Sequence, residues 1–221
     1  MPRYGMPSLN RNKLFAAGAA YHIYNRGVNK LPIFFTKKDY VTYITFLQDY
    51  LMPRDVRIKE ASKRYAGRHL NKRLTRLVNV PDFSKEIELL SYCLMPNHIH
   101  LVLIQKEAHD MTRLMRCLHT SYARYFNQRY QRVGNIFQDI YKAGLLRRNR
   151  SIVRAARYVH RNPIPICQDI KTYLWSSFRY HTKQKHLGWI HTERLERIFE
   201  KSSFRTSYNS YTDFVEDQHE P

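Results

Sequence analysis

Acids are scarce in this chain: 18 Asp and Glu stand against 38 Lys and Arg, a formal charge of +20 over 221 residues. An imbalance of that size draws polyanions, nucleic acid first and anionic membrane second. No run of 18 apolar residues occurs, so no segment of the sequence is expected to span a bilayer. The basic opening MPRYGMPSLNRNKLFAAGAA has no continuous apolar stretch of the signal-peptide kind, and a cytoplasmic location is the expectation. Cysteine is sparse too. Cys93, Cys117 and Cys167 are odd in number and show no zinc-type spacing, so they read as small apolar residues in a reducing compartment. Repeats and low-complexity tracts are missing. What is present, 43% hydrophobic and 14% aromatic residues, is a globular composition.

Periodicity supplies the elements. AYHIYNRGV, residues 20–28, alternates and ends near Gly27, as a short strand does. From Lys38 to Leu51, Tyr40, Tyr43, Ile44, Leu47 and Leu51 recur at helical spacing. Arg54–Arg76 carries nine Lys/Arg and two acids; Leu70, Leu74 and Leu77 give it enough of a stripe to dock one helix. Its Arg64, Arg68, Arg73 and Arg76 are expected phosphate contacts. Glu86–Leu94 and His98–Gln105 read as a hairpin turned at Met95-Pro96-Asn97. Asp110 is placed to cap a helix reaching about Tyr130, residues 136–146 look like a strand, and Ser151 is placed to cap a helix that Pro163 stops. The order β-α-β-β-α-β-α predicts an α+β fold, an antiparallel sheet with helices on one face. Seven of the 18 acids fall in 193–221, so residues 182–221 read as an appended tail with a helix near 192–201.

Two strings carry chemistry. In Asn97-His98-Ile99-His100-Leu101-Val102, strand alternation puts His98 and His100 on one face. Such a pair chelates one divalent cation, or it is simply two exposed imidazoles. In Arg157-Tyr158-Val159-His160-Arg161-Asn162-Pro163, Ile152, Ala155, Ala156 and Val159 make the apolar stripe. Tyr158 and Asn162 share another face with Arg154 and Arg161. On helical geometry alone Tyr158 is a rim aromatic, one of 17 tyrosines.

Together, CLMPNHIHLVLI, RYVHRNPI and WSSF at Trp175–Phe178, with YHIYNRG and NQRYQRVGNIFQDIYKAGLL, resemble the REP-associated tyrosine transposases. These are the single-tyrosine branch of the HUH endonucleases. The resemblance covers about residues 17–181 and implies one transposase domain over residues 1–181, with a ferredoxin-like sheet presenting the His pair. It further implies Tyr158 as nucleophile and Asn162 as third ligand beside His98 and His100. The basic segment around 53–84 is longer than the family's usual connection, and neither it nor the tail inherits a role.

A phenol with pKa near 10 is only about 0.1% ionised at neutral pH, so it attacks phosphorus usefully when held in line with a polarised phosphate. Mg²⁺ or Mn²⁺ is the expected metal, and the expected product is a 5′-phosphotyrosine beside a free 3′-hydroxyl. Between Arg113 and Arg161 lie 12 Lys/Arg and one acid, Asp139, interleaved with aromatics that could stack on unpaired bases. Arg113, Arg116, Arg124, Arg147, Arg148, Arg150, Arg154 and Arg161 are the expected contacts to single-stranded or hairpin DNA. Tyr122 or Tyr125 is the competing nucleophile. A non-catalytic ferredoxin-like nucleic-acid binder is the alternative function, and a zinc hydrolase a distant third. A homodimer is left open.

Overall fold

In the computed structural model, which describes residues 15–64, 67–182 and 187–219, the apolar hairpin forms as β2 (Ile87–Met95) and β3 (His98–Gln105). β1 (Ala20–Arg26) pairs with the free edge of β3, and β4 (Lys142–Leu146) pairs with β1. The result is one antiparallel sheet in the order β2-β3-β1-β4. With α1 (Lys37–Leu51) after β1 and α4 (Asp110–Tyr130) after β3, this is the ferredoxin-like arrangement. The basic opening, residues 1–14, lies outside the described residues. Among the described residues no helix is long and apolar enough to cross a membrane.

Alternation along the strands sends side chains into two layers. Ile23, Leu89, Tyr92, Leu101 and Leu103 meet Tyr43 and Leu47 of α1 and Met115, Leu118 and Tyr122 of α4. Leu90 is an extra residue bulged out between Leu89 and Ser91; beyond it, Cys93 and Met95 join Ala20 and Val102 on the opposite face. That face is covered as well. α5 (Asn149–Arg161) lays Ile152, Val153, Ala156 and Val159 on it, backed by Phe178 of α6 (Phe178–Thr182), Leu195 and Phe199 of α7 (Thr192–Glu200) and Phe214 of α8 (Tyr211–Glu216). The sheet is therefore covered on both faces rather than on one: α1 and α4 lie on the first, while α5, expected beside them, lies on the second with the C-terminal elements behind it. The stretch after 181, read as an appended tail, is part of that second core. Leu195, Ile198, Phe199, Phe204 and Phe214 pack there, Trp189 and Ile190 join the other core, and Glu193, Glu200 and Asp213 are exposed.

Local starts differ from the sequence reading for identifiable reasons. Asp110 lies inside the first turn of α4 and accepts from Glu107 N (2.8 Å); it is Gln105 Oε1 that takes the helical N–H of Met111 (3.2 Å). α5 begins at Asn149 rather than at Ser151, because the carbonyl of extended Arg148 already accepts from Ser151 N and Ile152 N. The strand expected over 136–146 is regular only in its second half. Before it, the Asn25 side chain takes over the pairing, donating to the Asp139 carbonyl at 3.0 Å.

The basic segment folds as a helical hairpin, α2 (Arg54–Arg64) and α3 (Gly67–Asn79). Leu77 is buried and Leu74 half-buried, whereas the side chains of Arg68 and Leu70 lie outside those described. Two of its four expected phosphate contacts are committed elsewhere. The buried Asp49 carboxylate of α1 binds Arg73 in a two-pronged ion pair and Arg76 at 3.0 Å. Arg57 adds bonds to the carbonyls of Asp49, Val80 and Pro81. Of the four, Arg64 is exposed and Arg73 and Arg76 are half-buried. Asp49→Ala is expected to destabilise the protein by about 3 kcal/mol, the low end for breaking a buried pair, because Arg73 and Arg76 keep some access to water. Denaturant unfolding measures this; a change under about 1 kcal/mol would mean the clamp holds nothing.

Burial alone pushes His22 down to about 4 and His119, stacked on Phe137 at 4.1 Å, down to about 3. As pH falls below about 6.5 the unfolded chain protonates first, so each ring's stabilising contribution is complete above that value. It is lost as pH falls toward 4 and 3, at about 1.4 kcal/mol per unit per ring. The melting temperature should therefore drop steadily from pH 7 to pH 4, and a flat profile would mean these rings take up protons in the folded state.

Candidate active site

His98 and His100 emerge from β3 on the face that α5 covers, His98 half-buried and His100 buried. Their rings stand edge to face, centroids 5.1 Å apart. Gly27, closing β1, ties the next loop to this point. Its N–H donates to the Asn97 carbonyl at 2.8 Å, and a Cβ there would lie 2.1 Å from the Leu31 carbonyl oxygen. The same loop offers the Lys30 carbonyl to Asn97 Nδ2 at 2.9 Å.

That bond decides the chemistry of His98. With Nδ2 donating to Lys30, Asn97 turns its Oδ1 to His98 Nδ1 (2.7 Å), and an amide oxygen only accepts. His98 Nδ1 must carry the proton, leaving the lone pair on Nε2. This Nε2 faces Asn162 Oδ1 at 3.1 Å, and Asn162 is oriented in turn by Nδ2 donating to the Tyr158 carbonyl at 3.2 Å. Burial lowers the pKa of His98, with the Asn162 contact opposing, so a second proton on the ring is disfavoured. Two lone pairs thus converge on one point, an arrangement that a cation resolves. Their 3.1 Å separation is close to the ~3 Å between adjacent oxygens and nitrogens around an ion with ~2.1 Å bonds. His100 is held well below the ordinary imidazole range by burial, then by His22 and His98. Among the described residues no group of three or more His, Cys, Asp or Glu is placed to hold a metal. The two imidazoles with the Asn162 amide are the donor set available.

α5 carries Tyr158 into this site. Its ring lies edge-on to His100 at 5.5 Å and to His22 at 5.7 Å, and it is 56% exposed. The rest of RYVHRNP explains why. His160 is buried, with Nε2 on Ser177 Oγ (2.8 Å) and Nδ1 on the Tyr211 hydroxyl (2.9 Å). Ser177, from WSSF, also accepts from Tyr92 N at 2.9 Å. Arg157 donates to the carbonyls of Phe214, Asp217 and His219. Three turns of helix are thereby clamped between sheet and C-terminal segment, which leaves Tyr158 and Asn162 on the open side.

The expected DNA-contacting arginines do not converge. Arg161 donates to the carbonyls of Val215 (2.8 Å) and Asp217, which ties its guanidinium to the C-terminal segment. Arg113 pairs with Glu86 and Asp110, both at 3.3 Å. It shares α4, on the far layer, with the exposed Arg116 and Arg124. Arg147, Arg148 and Arg150 mark the start of α5, roughly 15 Å of helix from Tyr158, with Arg150 over the Phe204 ring. Arg154, one turn before Tyr158, is the one on its face. The competing phenols are likewise occupied. Tyr122 is buried and donates to the Ile33 carbonyl at 2.5 Å, and Tyr125 donates to Asp39 at 2.9 Å.

Two site residues escaped the sequence reading. His22 and Tyr24, on β1, point to the same face as the His pair; Tyr24 stacks on His100 at 5.9 Å and lies under Lys142 Nζ at 5.9 Å. Burial first, and then Tyr158, raise the Tyr24 pKa. Their signal was available, since alternation in YHIYNRG puts both on one side.

No curated protein matches. A solved REP-associated tyrosine transposase bound to a REP hairpin is similar, with a TM-score of 0.48 at 12% identity over 82% of this chain and 90% of that one. The family model for IS200-like transposases matches residues 51–162, a span that holds both the His pair and RYVHRN and amounts to half the chain, and the chain belongs to that family.

Proposed function

We propose that this chain is a single-tyrosine transposase that cuts and rejoins single-stranded DNA, with Tyr158 as nucleophile and His98, His100 and Asn162 as ligands of Mg²⁺ or Mn²⁺. One observation carries the reading: α5 faces Tyr158 and Asn162 toward the two imidazoles while every other polar side chain of its motif faces inward. The phenol oxygen would bond to phosphorus as the bond to the 3′ oxygen breaks. Solvent takes the phenolic proton and returns one to the departing 3′ oxygen, which leaves as a hydroxyl, giving a 5′-phosphotyrosine. The ester keeps the bond energy, so rejoining needs no nucleotide. A divalent ion, when bound, neutralises charge on the scissile phosphate and orients it. Clamped α5 holds the phenol beside that point, which replaces a bimolecular encounter by a positioned one. The test is a covalent protein–DNA adduct on a hairpin oligonucleotide with a single-stranded flank, in Mg²⁺ or Mn²⁺. Binding without an adduct in either metal would turn the conclusion to a non-catalytic nucleic-acid binder.

Hairpins enter this test through the resemblance to the REP-associated enzymes; the charge bias of the chain speaks only for nucleic acid. Affinity should favour hairpin with flank over blunt duplex and fall with salt. A single-strand phosphate contact contributes about −0.7 to the slope of log K against log salt, so several should give roughly −3. Equal binding to blunt duplex would remove the single-strand preference.

A further inference from the structure

β1 lies beside β3 in a register that sets Tyr24 opposite His100 and His22 opposite Val102, all on the face covered by α5. His22 Nε2 is 2.9 Å from His100 Nδ1, and the rings stack at 5.1 Å with 22° between planes. One proton fits in that gap, so one ring donates and the other accepts. The two choices differ in consequence. When His100 donates from Nδ1, its Nε2 keeps a lone pair. When His100 accepts, its Nε2 carries the proton and cannot ligate anything.

We infer that His22 is a positioning residue for His100: its Nε2 accepts the Nδ1 proton and so fixes His100 in the tautomer whose Nε2 can bind a cation. The inference rests on the proposed cation site. It completes a symmetry in that site, since Asn97 Oδ1 does for His98 what His22 Nε2 does for His100. Ligating imidazoles generally give their other N–H to such a partner, more often a carboxylate or carbonyl. A histidine serves here without adding negative charge where a DNA strand must approach, and its stacked ring also fixes the plane of His100. His22 further lies edge-on to Tyr158 at 5.7 Å, so one side chain braces both the ligand and the proposed nucleophile.

Mn²⁺ titration without DNA, followed by the EPR signal of the free ion, tests this on the full chain. His22→Phe keeps a ring of similar size and removes the acceptor; His22→Gln restores an acceptor oxygen near Nε2. Histidine ¹⁵N spectra of the metal-free proteins report the tautomer, and thermal unfolding checks the fold. The expected result is His100 protonated on Nδ1 in the native protein, and Mn²⁺ binding weakened about 10- to 100-fold in His22→Phe. His22→Gln should recover most of that loss. A native His100 protonated on Nε2 would overturn the inference, as would native Mn²⁺ affinity in His22→Phe while His100→Ala has lost it. If His100→Ala itself binds Mn²⁺ like the native protein, the cation site fails and the inference with it.

Discussion

Tyr158→Phe should abolish both strand cleavage and the covalent adduct while DNA binding stays close to native. The substitution removes one oxygen from a ring that is 56% exposed, and substitutions at such positions usually shift stability by less than about 0.5 kcal/mol. α5 keeps its clamps, because His160, Arg157 and Arg161 reach Ser177, Tyr211 and the carbonyls of Phe214 and Val215 through their own side chains. Binding therefore survives and chemistry does not. The measurement is a denaturing gel of protein with labelled hairpin, set beside an affinity titration on the same oligonucleotide. An adduct formed by Tyr158→Phe would move the nucleophile elsewhere, and the geometry says where to look first. Tyr24 faces the same site and stacks on His100, whereas Tyr122 and Tyr125 are bound to Ile33 and Asp39 on the other layer. Tyr24→Phe is then the next variant.

The sequence reading succeeded where a short-range pattern has one physical meaning. β3 and α4 fall on the expected residues, since HIHLVLIQ is a short apolar and β-branched run that follows a turn, and Met111, Leu114, Leu118 and Tyr122 repeat at helical spacing. It was weaker where the meaning of a residue depends on a distant partner. Arg73 and Arg161 look like phosphate contacts in a chain of +20, yet one is bound to Asp49 and the other to backbone carbonyls of the C-terminal segment. A surplus of cations says nothing about which few are already committed. The C-terminal segment was misread for a related reason. Its acids dominate the composition, whereas Leu195, Phe199 and Phe214, sparse in sequence, decide that it packs. For the site, the His pair was legible and alternation in YHIYNRG sets His22 and Tyr24 on one face of β1, but the bonds that His22 and Asn97 make to the pair depend on strand register and loop geometry, which no spacing rule encodes.

His98→Ala should remove metal-dependent cleavage, with Mn²⁺ affinity falling by more than about 100-fold, beyond the range seen for residues that only support a ligand. It is a cleaner test than His100→Ala. His98 is half-buried at the open end of the strand, while truncating His100 strips His22 of its partner and costs about 1–3 kcal/mol on that account. Asn162 separates a cation from the other way of joining two facing lone pairs, a proton. Asn162→Asp keeps the oxygen and adds charge, so on the cation reading it retains Mn²⁺ binding. Asn162→Leu, which removes the oxygen, weakens Mn²⁺ binding as His98→Ala does. If instead a second proton on His98 bridges to Asn162, neither change at 162 alters Mn²⁺ affinity, and Asn162→Asp simply raises the His98 pKa through the new neighbouring charge. Mn²⁺ titration of the three variants therefore decides the matter before any DNA is added. Native affinity in both His98→Ala and Asn162→Leu would leave Tyr158 without a metal beside it, and the transesterase reading would lose its source of phosphate polarisation.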